Sequence, residues 1–244
     1  MQSWGLTDPG CVRKQNQDSY RIEQLDRGNL LCIVCDGMGG AKSGNIASSL
    51  AVDVFVEEVR RCWKPVMEQD KVDQMLRSAV KLANFTVYDQ SRQFEEFDGM
   101  GTTLVAVMVR GRKATVVNVG DSRAYHVGKS GIRQVTKDHS LVESMVDHGD
   151  ITADEARHHP SRNLITRALG RDTNAACDGY IRPMAQGDYL LLCTDGLVNT
   201  VTDQEMLFEI LHGQDEDTCL SRLMEIAKAQ GAPDNVTAVL MRML

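Results

Sequence analysis

The stretch LLCIVCDGMGG, which spans residues 30–40, decides how this chain folds. Six apolar residues are followed at once by Asp36 and then by glycines. A short apolar run that ends in turn residues is typical of a buried strand. A second stretch, YLLLCTDGL at residues 189–197, runs in the same order into Asp195 and Gly196. The sequence therefore predicts two buried strands that each present an aspartate at their end.

Strand and helix patterns come in blocks along the rest of the chain. Apolar residues at helical spacing cover 46–59 and 72–87, and we expect these two amphipathic helices to pair against a sheet. Strand patterns dominate 103–127, and a mixture of strands and helices occupies 179–241. Residues 137–170 are polar and carry four of the six histidines, so we expect an excursion from the core. This order favours an α+β fold with sheets between helix layers.

The bulk composition limits the classes of function. The chain has 244 residues, 42% of them hydrophobic, and a net charge of -7. This size suits one large domain, and the charge argues against nucleic acid as a partner. We expect no signal peptide and no membrane segment, because no apolar run is long enough. The seven cysteines lie mostly in apolar runs and indicate a reduced, cytoplasmic protein, for which a monomer is the simplest expectation.

Five aspartates occur where they can approach one another: Asp18, Asp36, Asp121, Asp195 and Asp234. Three of them directly follow apolar or β-branched runs, so the end of a strand fixes each of those carboxylates. Several carboxylates that converge in a medium of low dielectric constant repel each other unless cations neutralise them. Ligand sets made only of oxygen suit Mg²⁺ or Mn²⁺. The sequence therefore predicts a metal site.

Arg13 and Gly37 extend this hypothesis. Arg13 precedes Asp18 by five residues, and a guanidinium can bind two phosphate oxygens at once. The glycine after Asp36 lets the backbone approach an ion, so that its carbonyl oxygen can also be a ligand. A single Asp-Gly pair is more often an ordinary turn, and a single loop arginine is more often merely solvated. The metal hypothesis therefore depends on all five aspartates occurring in a chain without a cysteine or histidine ligand set.

Six segments identify a resemblance to a known family. They are VRKQNQDS (12–19), VCDGMGG (34–40), GTTLVAV (101–107), VGDSRAY (119–125), LLLCTDGL (190–197) and PDNVTAVL (233–240). In this order they resemble the protein phosphatase 2C family, and most of all its compact bacterial members. One such segment is a weak signal, whereas six in order across nearly the whole chain are specific.

The resemblance implies an α-β-β-α sandwich, in which two antiparallel sheets lie between outer helix pairs. It implies one catalytic domain over residues 1–244, with 137–170 as a flap beside the active site. It also implies a centre of two or three Mn²⁺ or Mg²⁺ ions. The implied assignments are Asp36 bridging two ions, the Gly37 carbonyl on one of them, Asp195 and Asp234 on the other, Asp121 with Asp195 on a third, Asp18 in support, Arg13 on the substrate phosphate, and Asn235 orienting Asp234.

The resemblance also implies an activity. A member of this family hydrolyses phosphoserine and phosphothreonine in proteins, by in-line attack of a hydroxide shared between two ions. Cys35 is then not a nucleophile. The expected partners are phosphorylated proteins, especially a Ser/Thr kinase and its substrates.

Two positions depart from some relatives. Met38 stands where many members have a histidine that is a proposed general acid, and methionine cannot donate a proton. Water, or a histidine of the 137–170 segment such as His139 or His159, is then left to protonate the leaving group. Gln17 stands where many members have glutamate, so it brings no charge to the site.

Other classes of function remain open from the sequence. A catalytically silent phosphoprotein sensor of the same fold would bind without turnover, although every required carboxylate is present. A phosphopeptide-binding scaffold would have no use for five such aspartates. A zinc hydrolase would need His139, His148, His158 and His159, whose spacing does not match a zinc-binding helix.

Overall fold

The computed structural model describes residues 1–39, 43–213 and 215–244. The strands are β1 (Gln2–Asp8), β2 (Asp18–Asp26), β3 (Asn29–Met38), β4 (Gly101–Thr102), β5 (Leu104–Arg110), β6 (Lys113–Val119), β7 (Arg123–Gly128), β8 (Gly131–Gln134), β9 (Asp178–Pro183), β10 (Tyr189–Cys193) and β11 (Val236–Arg242). The α-helices are α1 (Gly44–Cys62), α2 (Gln69–Gln93), α3 (Leu141–His148), α4 (Ala153–His158), α5 (Asp195–Val198), α6 (Asp203–His212) and α7 (Glu216–Ala229). The last residue of VCDGMGG, Gly40, lies outside the described residues.

The strands form two antiparallel sheets. One sheet has the order β1-β11-β10-β7-β8, and the other has the order β2-β3-β5-β6-β9, with β4 paired to β3. Each of the two strands predicted from the opening stretches lies inside a sheet, β3 in one and β10 in the other. The predicted α+β class with antiparallel sheets is confirmed.

Three apolar cores hold the layers together. The middle core lies between the sheets, and alternate residues of β3 and β5, such as Cys32 and Val107, pack there with Leu190 and Val239. A second core joins the other face of β3 to α1 and α2. A third core joins the outer face of the β10 sheet to α5, α6 and α7. The result is the expected order of helices, sheet, sheet and helices.

Side chains along β3 alternate between the two faces of its sheet, so this one strand contributes residues to two cores. Cys32 belongs to the core between the sheets, whereas Cys35 belongs to the core under α1 and α2. Residues three apart in a strand face opposite sides, so the C-x-x-C spacing of Cys32 and Cys35 does not bring the two thiols together. All seven cysteines lie in the described residues, and no disulfide joins any two of them there.

Two elements near the site were not predicted. The four-residue strand β8 is too short to show a clear alternation. Asp195 was expected at the end of a strand, but it is the first residue of the single-turn helix α5, which follows β10 after Thr194. Among the described residues, none of the helices has the length and apolar character needed to cross a membrane.

Candidate metal centre

Asp18 and Asp36 face each other across two neighbouring strands. Asp18 is the first residue of β2 and pairs with Asp36 near the end of β3. Side chains directly opposite each other in an antiparallel pair are about 5 Å apart at Cβ, so two carboxylates there repel each other. The register of one strand pair therefore fixes two of the predicted residues side by side.

Asp18 also connects the two sheets. Its Oδ2 accepts hydrogen bonds from the hydroxyl groups of Thr194, at 2.9 Å, and Thr237, at 2.6 Å. Thr194 follows β10 and Thr237 lies on β11, so both donors come from the opposite sheet. The side chain is only 8% exposed, and its Oδ1 is buried without a hydrogen-bond partner.

Asp195 is brought to the same place by β10 and α5. Asn199, one turn later, donates from Nδ2 to its Oδ2 at 3.2 Å. The charge of Asp195 acts on Asp36, which belongs to the other sheet. The Oδ1 atom of Asp195 is buried and has no hydrogen-bond partner, as is the case for Asp18. Segments from two different sheets thus place these aspartates within electrostatic reach of each other.

Asp234 lies at the exposed side of the group and is paired with Arg13. The Nη2 atom of Arg13 lies 2.8 Å from Oδ2 of Asp234, with side-chain exposures of 55% and 36%. The other oxygen, Oδ1, accepts from the backbone N–H of Asn235 at 2.9 Å. Arg13 is expected to bind the substrate phosphate, and in this structure its guanidinium forms an ion pair with one of the predicted metal ligands.

Asn235 contacts Asp234 through its backbone, while its side chain contacts a loop near the N-terminus. Its side-chain amide donates to the carbonyl oxygens of Pro9 and Gln15, and its Oδ1 accepts from the backbone N–H of Gln17. The side chain therefore holds the loop that carries Arg13, and only its backbone N–H contacts Asp234.

Asp121 completes the group from the loop between β6 and β7. Its side chain is 8% exposed, and its charge acts on both Asp195 and Asp36. Thr103 contacts the segments that carry Asp36 and Asp121. Its hydroxyl accepts from the backbone N–H of Asp36 and is 2.7 Å from the hydroxyl of Ser122. All five predicted aspartates are therefore within electrostatic reach of one another.

The glycines after Asp36 and Asp195 serve close backbone packing. A Cβ at Gly37 would lie 2.0 Å from the carbonyl oxygen of Gly44, and a Cβ at Gly196 would lie 2.0 Å from that of Asn235. Neither glycine has a positive φ angle. Each glycine therefore lets another backbone segment of the same chain pack closely against it. The approach of a cation to these glycines stays a prediction.

Burial and mutual repulsion raise the pKa of the clustered carboxyl groups. Burial raises the pKa of Asp36 well above 3.8, and the charges of Asp18 and Asp195 raise it further. Burial and the charge of Asp195 raise the pKa of Asp121 in the same way. Burial raises the pKa of Asp18 to about 7, although the threonine hydrogen bonds oppose this shift. Without cations, the folded protein therefore holds these groups under electrostatic strain.

The donor set fits hard divalent cations. It consists of carboxylate oxygens, two of which are buried and have no hydrogen-bond partner. In the described parts of the chain, however, no three His, Cys, Asp or Glu side chains already form a complete coordination site. Asp234 is turned to Arg13 and Asp18 to two threonines, so the carboxylates share a region without surrounding one point. The assignment of individual ligands remains a prediction.

The raised pKa values predict how pH acts on stability. The unfolded carboxyl groups ionise near 3.8, whereas that of Asp18 ionises near 7 in the folded protein. Between these values the folded state holds more protons, so the contribution of these groups to stability falls as pH rises, by ~1.4 kcal/mol per pH unit for each proton of difference. Cations compete with those protons, so we expect Mn²⁺ to raise the thermal unfolding midpoint more at pH 7.5 than at pH 5.5.

Thermal unfolding in EDTA and in Mn²⁺, at both pH values, measures this difference. The matched control is Asp53→Asn, because Asp53 is an exposed aspartate that is paired with Arg21. This variant should show the same pH-dependent Mn²⁺ effect as the unaltered protein. An increase of equal size at both pH values would contradict the electrostatic account.

A cavity of about 560 Å³ adjoins Asp121 and Asp195. Helices α3 and α4 of the 137–170 segment form one side of it, including Arg157 on α4. A partly buried ion pair forms part of its lining, in which Arg123 contacts both carboxylate oxygens of Asp138 at 2.7–3.0 Å. The segment predicted as a flap therefore borders the carboxylate cluster through a polar cavity.

The structure rules out one of the proposed histidine roles. His139 is 6% exposed and both of its ring nitrogens have partners, so it cannot serve as a general acid for a substrate. His159 accepts at Nδ1 from the backbone N–H of Ser161. His148 contacts the carbonyl oxygen of Ser144 through Nδ1. Among the described residues these histidines form no ligand group with each other, which argues against the zinc hydrolase.

Comparisons with known proteins agree on one family. A family model described as protein phosphatase 2C matches residues 12–241. The serine/threonine phosphatase stp of Listeria monocytogenes is 34% identical, over 96% of this chain and 92% of its own length. The crystal structure of Stp1 from Staphylococcus aureus has a TM-score of 0.93 at 35% identity and covers 99% of this chain and 94% of that one. The catalytic domain of the phosphatase PstP in complex with two manganese ions has a TM-score of 0.82 at 32% identity, covering 98% and 96%.

Proposed function

The chain belongs to the protein phosphatase 2C family, and we propose that its carboxylate cluster holds the divalent cations of a serine/threonine phosphatase. As a member of this family, the protein is a metal-dependent protein phosphatase, a hydrolase that acts on phosphoproteins. The observation that carries the proposal is the convergence of five aspartates from two sheets, two of them with buried oxygens that have no partner.

Within the proposed site, Asp36 occupies the central position, because the charges of the other four aspartates all act on it. We assign Asp36 to bridge two ions, with the Gly37 carbonyl as a further ligand. Asp195 and Asp234 would bind the second ion, since they come from neighbouring strands of the other sheet.

Two further aspartates have supporting assignments. Asp121 would share a third ion with Asp195, whose charge acts on it directly. Asp18 would support the cluster from the interior, because two threonine hydroxyls already occupy one of its oxygens. Mn²⁺ and Mg²⁺ both suit these oxygen donors, and the PstP structure with two manganese ions supports a count of at least two.

Arg13 binds the substrate phosphate in this proposal. Its side chain is exposed, and the charges of Asp234, Asp36 and Asp195 act on it, so it lies at the rim of the cluster. Asp234 would hold a cation in place of its pairing with Arg13, and the guanidinium would then be available for phosphate oxygens. Cations bound here supply positive charge, which lowers the pKa of water and stabilises the transferring phosphoryl group.

Cys35 does not act as a covalent nucleophile in this proposal. This thiol is buried, and burial together with the charges of Asp18 and Asp36 raises its pKa well above 9.0. A thiol held protonated is a poor nucleophile. We assign water as the attacking group, and solvent or His159 as the proton donor to the leaving group, because both ring nitrogens of His139 already have partners.

The substrates follow from the family and from the shape of the site. We propose phosphoserine and phosphothreonine in proteins, including those of a Ser/Thr kinase, with the cavity under α3 and α4 receiving residues that flank the phosphate. Residues 1–244 would act as one catalytic domain with 137–170 as its flap, as a monomer. We place it in the cytoplasm, where its seven thiols remain reduced.

The test is release of phosphate from phosphothreonine and phosphoserine peptides by the purified protein. We expect turnover with Mn²⁺ or Mg²⁺ that falls to background in EDTA and returns when Mn²⁺ is restored. Saturable peptide binding without turnover under any cation would favour the silent sensor instead. Equal turnover in EDTA would contradict the metal-dependent site.

A further inference from the structure

His139 makes a reciprocal pair of hydrogen bonds with the glycine that precedes Asp121. Its Nδ1 accepts from the backbone N–H of Gly120 at 3.0 Å, and its own backbone N–H donates to the Gly120 carbonyl at 3.0 Å. Asn118 donates to the same carbonyl from Nδ2 at 3.2 Å. The N–H and the carbonyl group of Gly120 are therefore both held by residues outside the carboxylate cluster.

Gly120 itself has little freedom to adopt another position. Its φ angle is +106°, a conformation that favours glycine, and a Cβ there would lie 2.6 Å from Cγ2 of Thr103. Because Gly120 is covalently joined to Asp121, the orientation of this peptide sets where the Asp121 carboxylate points. The hydrogen bond from Gly120 to His139 thus lies one residue from a predicted cation ligand.

The second ring nitrogen of His139 is held just as closely. Nε2 lies 3.2 Å from Oδ2 of Asp178 and 3.2 Å from Nη1 of Arg167, and the same Nη1 donates to Oδ1 of Asp178 at 3.1 Å. Since Nδ1 accepts a hydrogen bond, the proton of the neutral imidazole is on Nε2, which donates to Asp178. Burial lowers the pKa of His139, which agrees with a neutral ring.

His139 also connects the two ends of the proposed flap. Thr166 donates its backbone N–H to the carbonyl of His139 at 2.7 Å, and Arg167 follows it in the chain. Asp178 begins β9 in the sheet of Asp36. His139 is therefore at the junction of the β6–β7 loop, the base of the flap and the edge of one sheet.

We propose that His139 is a positioning residue that fixes the Gly120–Asp121 loop through Nδ1, and that Asp178 in turn orients its ring. The function of this arrangement is to hold the Asp121 carboxylate in place for a divalent cation. The inference rests on the proposed function, because it assumes that Asp121 is a cation ligand. It gives His139 a role in which Nδ1 holds the loop directly and Nε2 only helps to orient the ring, with no contact with substrate.

The chain offers a matched control in a second histidine–aspartate pair. Nε2 of His126 lies 2.9 Å from Oδ2 of Asp188, and both of these side chains are mostly buried, whereas in the His139 pair the imidazole is buried and Asp178 is 42% exposed. His126 lies on β7 beside Leu190, away from the β6–β7 loop. A variant at His126 loses a histidine–aspartate contact without touching the carboxylate cluster.

Two substitutions separate the roles of the ring nitrogens. His139→Asn retains an acceptor near the position of Nδ1, whereas His139→Gln places its amide near Nε2 and loses the acceptor for Gly120. Calorimetric titration of EDTA-stripped protein with Mn²⁺ measures each binding component. We expect Asp121→Asn to weaken or remove one component, and His139→Gln to weaken that same component by about 10-fold or more, a typical effect of a ligand's supporting partner. His139→Asn should stay within about threefold of the unaltered protein, and His126→Gln should not change the isotherm.

Hydrogen exchange gives a readout that needs no cation. In EDTA, the amides of the Gly120–Asp121 loop should exchange faster in His139→Gln than in His139→Asn. In the Asp121→Asn background, His139→Gln should have no further effect on Mn²⁺ binding, whereas a general loss of structure would weaken every component. An unchanged isotherm for His139→Gln, or a weakening of all components alike, would overturn the proposal.

Two further outcomes remain informative. If the His139 variants do not fold, Asp178→Asn keeps the imidazole and alters only its orienting partner. We expect this variant to weaken the Asp121 component by about threefold or more, and an unchanged isotherm would overturn the proposal. Absence of Mn²⁺ binding by the unaltered protein would instead refute the proposed metal centre.

Discussion

Replacing Asp36 with asparagine is expected to reduce phosphate release by at least about 100-fold and at the same time to stabilise the metal-free protein. The loss of activity follows because Asp36 is at the centre of the cluster and would bridge two ions. Loss of a single preorganised electrostatic contact in an active site typically costs 10²–10³-fold in rate. The gain in stability follows because asparagine removes a buried acid whose ionised form is opposed by burial and by four neighbouring carboxylates.

The two effects are measured on the same protein sample. Thermal unfolding in EDTA should show a higher midpoint for Asp36→Asn, where about 1 kcal/mol of relief corresponds to roughly 2–4 °C for a chain of this size. In Mn²⁺ the order should reverse, since the variant binds the cations more weakly. A variant that loses activity and is also less stable in EDTA would indicate a structural role for Asp36 and contradict the account.

Replacing Arg13 with alanine is expected to lower kcat/KM for a phosphopeptide by roughly 10- to 100-fold. Hydrogen bonds to charged groups contribute about 1.5–3 kcal/mol, and each 1.4 kcal/mol corresponds to a factor of ten. We expect Arg13→Lys to recover part of the loss, because lysine keeps the charge but not the planar pair of donors. Stability should change little, since the pair with Asp234 is exposed.

Arg21→Ala is the matched control for this prediction. Arg21 also forms an exposed ion pair, with Asp53 at 2.6 Å, so its replacement removes a similar surface interaction. Steady-state kinetics with varied phosphopeptide should show normal kcat and KM for Arg21→Ala. Normal kinetics for Arg13→Ala as well would remove Arg13 from phosphate binding.

The strongest local patterns in the sequence predicted the elements that position the site. The apolar runs that become β3 and β10 are continuous because each strand is buried on both faces between two cores. The same runs locate Asp36 and Asp195, since a turn or a helix must follow where the apolar residues end. The helical stripes of α1 and α2 were equally clear, because each helix buries only one face.

The contacts between distant segments could not be read from the sequence. Thr237 donates to Asp18 across 219 residues of chain, and a threonine on a strand has no local feature that indicates a partner. The network of His139 with Gly120 and Asp178 likewise joins three separate elements. The short helix α5 was missed because a single turn has too few residues to show a helical period.

The central claim is that aspartates from both sheets form one cation centre, and titration with Mn²⁺ tests it most directly. Calorimetry of EDTA-stripped protein should show at least two bound ions. Asp195→Asn should lose at least one of them, while the exposed variant Asp53→Asn should bind as the unaltered protein does. Mn²⁺ binding that is unchanged in Asp195→Asn, or absent from the unaltered protein, would contradict the account.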